Sequence, residues 1–343
     1  MTQQAIYDRQ IANWLILCAV VILGMILLGG VTRLTNSGLS MVEWRPLVGI
    51  IPPLSEQAWL DVFAKYKQFP EYQKINAGMS LDAFKTIFMY EYLHRVLGRL
   101  IGMLFFFPFV FFALKKRIPS GLMPKLIVLF FLGACQGLLG WYMVKSGLVN
   151  DPRVSQYRLT AHLGMAVLIY VSMLWVIFDL LLSKERSTVN SPQPYASYSI
   201  VLLGLIFLMI LSGGLVAGTD AGFAYNTWPL MGNSFIPAAL YAGTPAWLDA
   251  FEDITTIQFN HRMFAYLLFV LITSFAFTVY KSAAPRRARV GVLLLVGALL
   301  VQITLGISTL LLNMAVPVAA AHQSGAMVVI TAMLFVCHGL VRP

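Results

Sequence analysis

Four of the five histidines, His94, His162, His261 and His322, lie in strongly apolar stretches of this 343-residue chain. They fall into two pairs: His94 and His162 are 68 positions apart, His261 and His322 are 61 apart. An ionisable side chain in so apolar a setting is costly, and by default it marks a functional site. Two imidazoles from separate helices, facing each other across a helical bundle, make a bis-axial haem site. A single such histidine is satisfied equally well by a hydrogen bond to a neighbouring helix. Four at repeated positions and similar depth favour ligation. Zinc fits less well, because neither half offers a third ligand at tight spacing. His338 has no counterpart and sits at the opposite end of its helix, so it is expected to stand outside the site.

Glu91 precedes His94 by three residues and shares its helix face. The equivalent residue of the second half is Gln258, which cannot ionise. Glu91 either forms a structural pair with Arg95, one turn on, or supplies a carboxylate beside iron in one half alone. A site that moves protons needs such a group and a passive electron carrier does not. On the second reading the first half holds a substrate and the second a permanent haem. Arg95, Arg99 and Arg262 also fall within apolar spans, where a charge costs on the order of 2.5–3.5 kcal/mol without a partner. Charge and depth make them candidates for pairing haem propionates, with Arg33 a weaker one. Gly29, Gly30, Gly137, Gly140, Gly213, Gly214 and Gly306 lie near these residues. They would let a flat macrocycle approach, and would serve ordinary helix packing just as well.

The elements that must carry these residues follow from composition. Apolar residues make up 59% of the chain and charged ones 11%, which points to lipid as solvent. About 20 apolar residues span the hydrocarbon core. Eight stretches qualify: Ala12–Val31, Tyr90–Leu114, Lys125–Val144, Leu159–Leu182, Tyr198–Ala217, Asn260–Lys281, Val290–Leu312 and Val318–Leu340. An even number places both termini on one side. With the N-terminus inside, short inner segments carry twelve Lys and Arg, among them Lys115, Lys116, Arg117, Arg286, Arg287 and Arg289. The longer outer segments carry nine, including Arg45, Lys65 and Arg153, and the stretch 218–259 carries none. That is the positive-inside pattern, so the net charge of +10 reports topology and not nucleic-acid binding. The three cysteines lie in apolar runs, and no disulfide is expected. Met1 to Ile11 is too short and mixed for a transit peptide, which favours a bacterial cytoplasmic (inner) membrane.

The chain also repeats itself. Gly29-Gly30 answers to Gly213-Gly214, Asn36-Ser37-Gly38 to Asp220-Ala221-Gly222, and Trp44 to Trp228, all at an offset of 184. Glu91–Arg95 matches Gln258–Arg262, Gln136–Gly140 matches Gln302–Gly306, and Ala161-His162 matches Ala321-His322. The expected fold is therefore an all-α polytopic membrane protein of eight transmembrane helices, arranged as two pseudo-symmetric four-helix bundles. The halves are 1–190 and 191–343, related by an axis along the membrane normal. Between spans, Trp59, Leu60, Phe63 and Tyr66 predict an amphipathic interfacial helix. Thr244-Pro245 reads as an N-cap followed by proline at the first helical position.

Taken together, GGVTRLTNSGLSMVEWRPLVGIIPP (29–53), EYLHRVLGR (91–99), QFNHR (258–262) and AHQSG (321–325) resemble the haem A synthase family, over nearly the whole chain. The resemblance implies oxidation of the C8 methyl of haem O to a formyl group, by two hydroxylations to a geminal diol that then loses water. It implies His94 and His162 around the substrate haem O, His261 and His322 as axial ligands of a haem b cofactor, and Glu91 as the acidic residue at the substrate site. It further implies supply of haem O by a haem O synthase, an electron donor the sequence does not identify, terminal oxidase assembly factors as partners, and homo-oligomers. Some family members carry outer-loop cysteine pairs; this chain does not. The main alternative from another class is a bis-histidine transmembrane b-type cytochrome, but an electron wire across the bilayer needs haems near both faces. A secondary transporter would also show parallel repeats, with broken helices and no haem.

Overall fold

A computed structural model describes residues 2–43, 51–148, 154–182 and 195–342. Trp44, Arg45, Arg153 and the boundary expected near residue 190 lie outside the described residues. The described chain is helical, with one isolated bridge between Met231 and Ser234. Eleven α-helices follow one another: α1 (Gln3–Leu34), α2 (Glu56–Tyr66), α3 (Pro70–Lys74), α4 (Leu81–Leu114), α5 (Met123–Gly147), α6 (Gln156–Leu182), α7 (Ala196–Gly218), α8 (Asp249–Glu252), α9 (Ile254–Lys281), α10 (Arg286–Leu311) and α11 (Val316–Val341). Among them α1, α4, α5, α6, α7, α9, α10 and α11 are long and apolar enough to cross a membrane, the eight read from hydropathy. Each contains its expected apolar stretch to within a residue or two and most run past it, because capping groups and not hydropathy end a helix. Thr2, Ser80 and Asp253 cap α1, α4 and α9 through their side chains, satisfying N–H groups that have no partner within the helix.

The spanning helices are layered about a central group. α1, α6, α7 and α11 pack on one another, with α4 and α5 flanking α1 and α6, and α9 and α10 flanking α7 and α11. The core follows that arrangement: Leu15, Met173, Leu202, Leu295, Ile330 and Met333 are among its fully buried side chains. Outward-facing positions carry bulky apolar groups such as Phe107, Leu138 and Leu294, as expected where lipid replaces water. This is a multi-pass membrane protein. α1 and α7 end alike: Asn36 and Asp220 follow them with φ of 49° and 58°, the left-handed conformation Asn and Asp tolerate best.

One end of the bundle carries the termini, the other the two long segments between α1 and α4 and between α7 and α9. On the loop end, α2 begins at Ser55, whose hydroxyl accepts from the Ala58 N–H, and packs through Trp59, Phe63 and Tyr66 onto Phe84 and Phe88 of α4. Leu60 faces outward, so the buried stripe of this amphipathic helix is aromatic. The Thr244-Pro245 expectation is corrected: a short 3-10 turn starts at Ala246 with Pro245 itself at the cap position. Proline has no N–H, and one residue of delay places it before the turn.

Candidate functional site

All four repeated histidines lie near the loop end. His162, His261 and His322 stand in the second or third turn of α6, α9 and α11, and His94 in the fourth turn of α4, which starts earlier. His94 and His162 stand on α4 and α6, which both pack on α1 and α5, and His261 and His322 on α9 and α11, which both pack on α7 and α10. Each ring is half-buried. Each faces a glycine on a neighbouring helix: a Cβ placed on Gly29 would stand 3.2 Å from His94, on Gly140 2.8 Å from His162, on Gly213 3.5 Å from His261, and on Gly306 2.8 Å from His322. Any side chain at Gly140 or Gly306 would collide with the imidazole. The glycines thus let each imidazole lie directly against the neighbouring helix, which fixes where the ring sits.

The surroundings of the rings differ between the pairs. His322 Nδ1 donates to the backbone carbonyl of Gln302 at 3.2 Å, and His261 Nδ1 lies 3.0 Å from the Ser212 hydroxyl. With Nδ1 so engaged, Nε2 is the nitrogen left to bind a metal. In the first pair, His162 Nδ1 is buried with no hydrogen-bond partner among the described residues. There the Gln136 side chain donates to the His162 carbonyl at 3.1 Å. Among the described residues His94 makes no ring hydrogen bond. The donor set, two imidazoles per site with no carboxylate or thiolate, suits haem iron.

Glu91 is 3% exposed, and its carboxylate is turned to the first outer loop. Oε2 accepts from the Ser40 hydroxyl at 2.8 Å and from the Met41 N–H at 2.7 Å, while Oε1 pairs with Arg95. The structure therefore contains the ion pair that spacing alone left as one of two readings. Arg95 also donates to the Met41 and Glu43 carbonyls at 2.9 and 3.2 Å. At the repeat mates of these loop residues, Arg262 donates to the Tyr225 and Thr227 carbonyls, both at 2.9 Å. Gln258 donates to Tyr225 and Gly222. Each His-Arg motif thus fastens the loop that follows the first spanning helix of its own half.

The arginines are accordingly more committed than charge and depth suggested. Arg95 and Arg262 spend most of their donors on loop carbonyls, although Arg262 Nε is buried without a partner among the described residues. Arg99 lies one turn beyond Arg95 on the same face of α4. Arg33 reaches across the halves, bonding Asn36 at 3.0 Å and Asp220 at 2.9 Å. His338, expected to have no ligand role, is fully buried between Asp179 Oδ1 at 3.2 Å and Arg287 at 3.1 Å. Because arginine only donates, Nδ1 accepts and Nε2 carries the proton toward Asp179. Sequence reasoning missed Ser40, Ser212 and the Gln302 carbonyl. Only Ser212 leaves a trace in the sequence, as the residue before Gly213 where Leu28 precedes Gly29.

Eight spanning helices, with paired imidazoles from alternate spans held at one end, set the class: a polytopic membrane protein built around histidine pairs. Residues 12–334 match a family model described as cytochrome oxidase assembly protein (COX15-CtaA). The chain is 51% identical over 341 residues to the haem A synthase of Nitrosospira multiformis, spanning 99% of this chain and 96% of that one. It is 50% identical to that of Nitrosomonas eutropha, over 96% and 93% of the two chains. For that of Parvibaculum lavamentivorans the identity is 47%, over 97% and 94%. The chain belongs to the haem A synthase family.

Proposed function

We propose that this protein is a haem A synthase that binds haem O in its N-terminal half (1–190) and a resident haem b in its C-terminal half (191–343). The halves are read as pseudo-symmetric four-helix bundles. The helix neighbours within α1, α4, α5 and α6 recur within α7, α9, α10 and α11, and the loop-fastening bonds of Arg95 recur at Arg262. The reaction takes the C8 methyl of haem O through two hydroxylations to a geminal diol, which loses water to leave the formyl group of haem A.

His94 and His162 hold the substrate haem, and His261 and His322 hold haem b. Haem b supplies reversible one-electron chemistry when bound. Glu91 and Arg95 fix the loop Ser40–Met41 over the first site, which restricts water there and orients the substrate. Glu91 adds a negative charge that Gln258 lacks, one turn from His94, and through its pair with Arg95 it offsets positive charge on the first site or steers a proton there. The Arg262 Nε–H, together with Arg99, is the donor set proposed for propionates. The dense basic residues of the terminal end, including Lys115, Lys116, Arg286 and Arg289, support a cytoplasmic location for both termini in a bacterial inner membrane. The haem sites then lie toward the outer face. An electron donor and oxidase assembly factors are the partners this role requires.

The observation that carries this reading is the placement of both imidazole pairs at one end of the bundle, with a carboxylate in one half only. Two haems at the same depth do not form a wire across the membrane, which disfavours a b-type electron carrier. Co-expression with a haem O synthase in cells lacking haem A, followed by pigment extraction and chromatography, tests it. Haem A is expected; haem O alone, from a protein loaded with haem b, contradicts it.

A further inference from the structure

We infer that Ser212 is a positioning residue for the C-terminal histidine pair, and that its replacement by Leu28 at the repeated place makes the N-terminal pair the exchangeable one. This rests on the proposed division between resident and substrate haem. Two observations converge. In the C-terminal half both imidazoles have Nδ1 tied down, His261 by the Ser212 hydroxyl at 3.0 Å and His322 by the Gln302 carbonyl at 3.2 Å. In the N-terminal half neither does: His162 Nδ1 is buried without a partner among the described residues, and residue 28, which occupies the place of Ser212, is leucine.

The chemistry follows from where the ring proton must sit. Iron takes the Nε2 lone pair, so Nδ1 keeps its hydrogen and donates it to the Ser212 oxygen. A ring fixed in this way is held in the metal-binding tautomer before the haem arrives, and donation from Nδ1–H makes the imidazole a stronger donor to iron. Stronger donation favours ferric iron, hence tighter retention and a lower reduction potential. In the N-terminal half the His162 ring has only the Gln136 amide 3.5 Å from its Nε2, so nothing among the described residues takes its Nδ1–H and it is the weaker donor to iron. That is the property required where haem O must enter and haem A must leave. The same fold thus retains one haem and releases the other, through a hydroxyl present in one repeat and absent in the other.

The test uses the full-length protein purified with its haems. Ser212→Ala should weaken haem b retention about 10–100-fold, the usual effect of losing a partner to a metal ligand, and raise the reduction potential of the remaining haem b in a spectroelectrochemical titration. Ser212→Thr, which keeps the hydroxyl, should restore both. Leu28→Ser should lower the potential of the substrate-side haem and increase the haem O or haem A that co-purifies. If Ser212→Ala leaves retention and potential unchanged while His261→Ala strips haem b, the inference fails and the division of sites stands. If His261→Ala keeps its full haem b, the division of sites fails.

Discussion

At the scale of single residues, the histidines and Glu91 are recognisable in the sequence because ionisable groups in apolar spans are rare, and a repeat sets chance occurrences apart. What they touch is not recognisable, since a partner such as Ser40 or the Gln302 carbonyl comes from a distant segment by folding. Glu91 shows the consequence. Gln258 fastens its loop by donating to carbonyls, whereas Glu91 only accepts, so Glu91→Gln removes the charge, keeps the size and leaves one oxygen to accept from the loop. This variant is expected to keep haem b and to lose conversion by about 10²-fold or more, with haem O or a hydroxylated intermediate accumulating. Normal haem A output would remove the Glu91 charge from the mechanism. Glu71 offers a second test at this scale. Burial pushes its carboxyl up from 4.5 to about 8, opposed by the Tyr66 hydroxyl and reinforced by the Glu91 charge. Between those values the folded cap holds a proton that the unfolded segment has released. The stability of the α2–α3 cap is therefore full below about pH 4.5 and falls as pH rises through about 8, by no more than about 1.4 kcal/mol per pH unit. Hydrogen exchange in α2 and α3 should show this slope, and Glu71→Gln should flatten it.

At the scale of elements, all eight spans were legible from hydropathy, since each must present some 20 apolar residues to lipid. The ends were not, because they depend on caps such as Ser80 and Asp253 and on loop packing that hydropathy does not register. The aromatic contacts that seat α2 on α4 were legible only in part: Trp59, Phe63 and Tyr66 turn inward as spacing predicts, and Leu60 does not. The glycines are where helix and site meet. Sequence left two explanations open for them, and the structure sets one against each ring. Gly306→Val should displace His322 and strip haem b, while far-ultraviolet circular dichroism keeps its helical signal. Gly102, which has nothing within 4 Å of an added Cβ, is the control: Gly102→Ala should retain haem. Equal loss from both variants would mean that general packing, and not the seating of the ring, is what the glycines protect.

At the scale of the whole molecule, the repeat was legible as matched motifs, but the ties between the copies were not. Arg33 reaches Asp220 at the loop end. Gln323, next to His322, donates to the Ile26 carbonyl of α1 at 2.7 Å. At the terminal end Asp179 of α6 gathers His338 of α11 and Arg342 just beyond it. His338 looked idle in the sequence because its partners are 159 and 51 residues away. Asp179→Asn leaves neighbouring positive charges uncompensated, and should cost on the order of 1–3 kcal/mol, read as a lower thermal midpoint with haem content unchanged before melting. The proposed reaction requires two imidazole pairs with different occupants. Pigment analysis of two single variants tests that most directly. His261→Ala is predicted to lose haem b and keep haem O or haem A, and His94→Ala to keep haem b and lose the substrate pigment. Loss of the same pigment from both variants, or of neither, would contradict it.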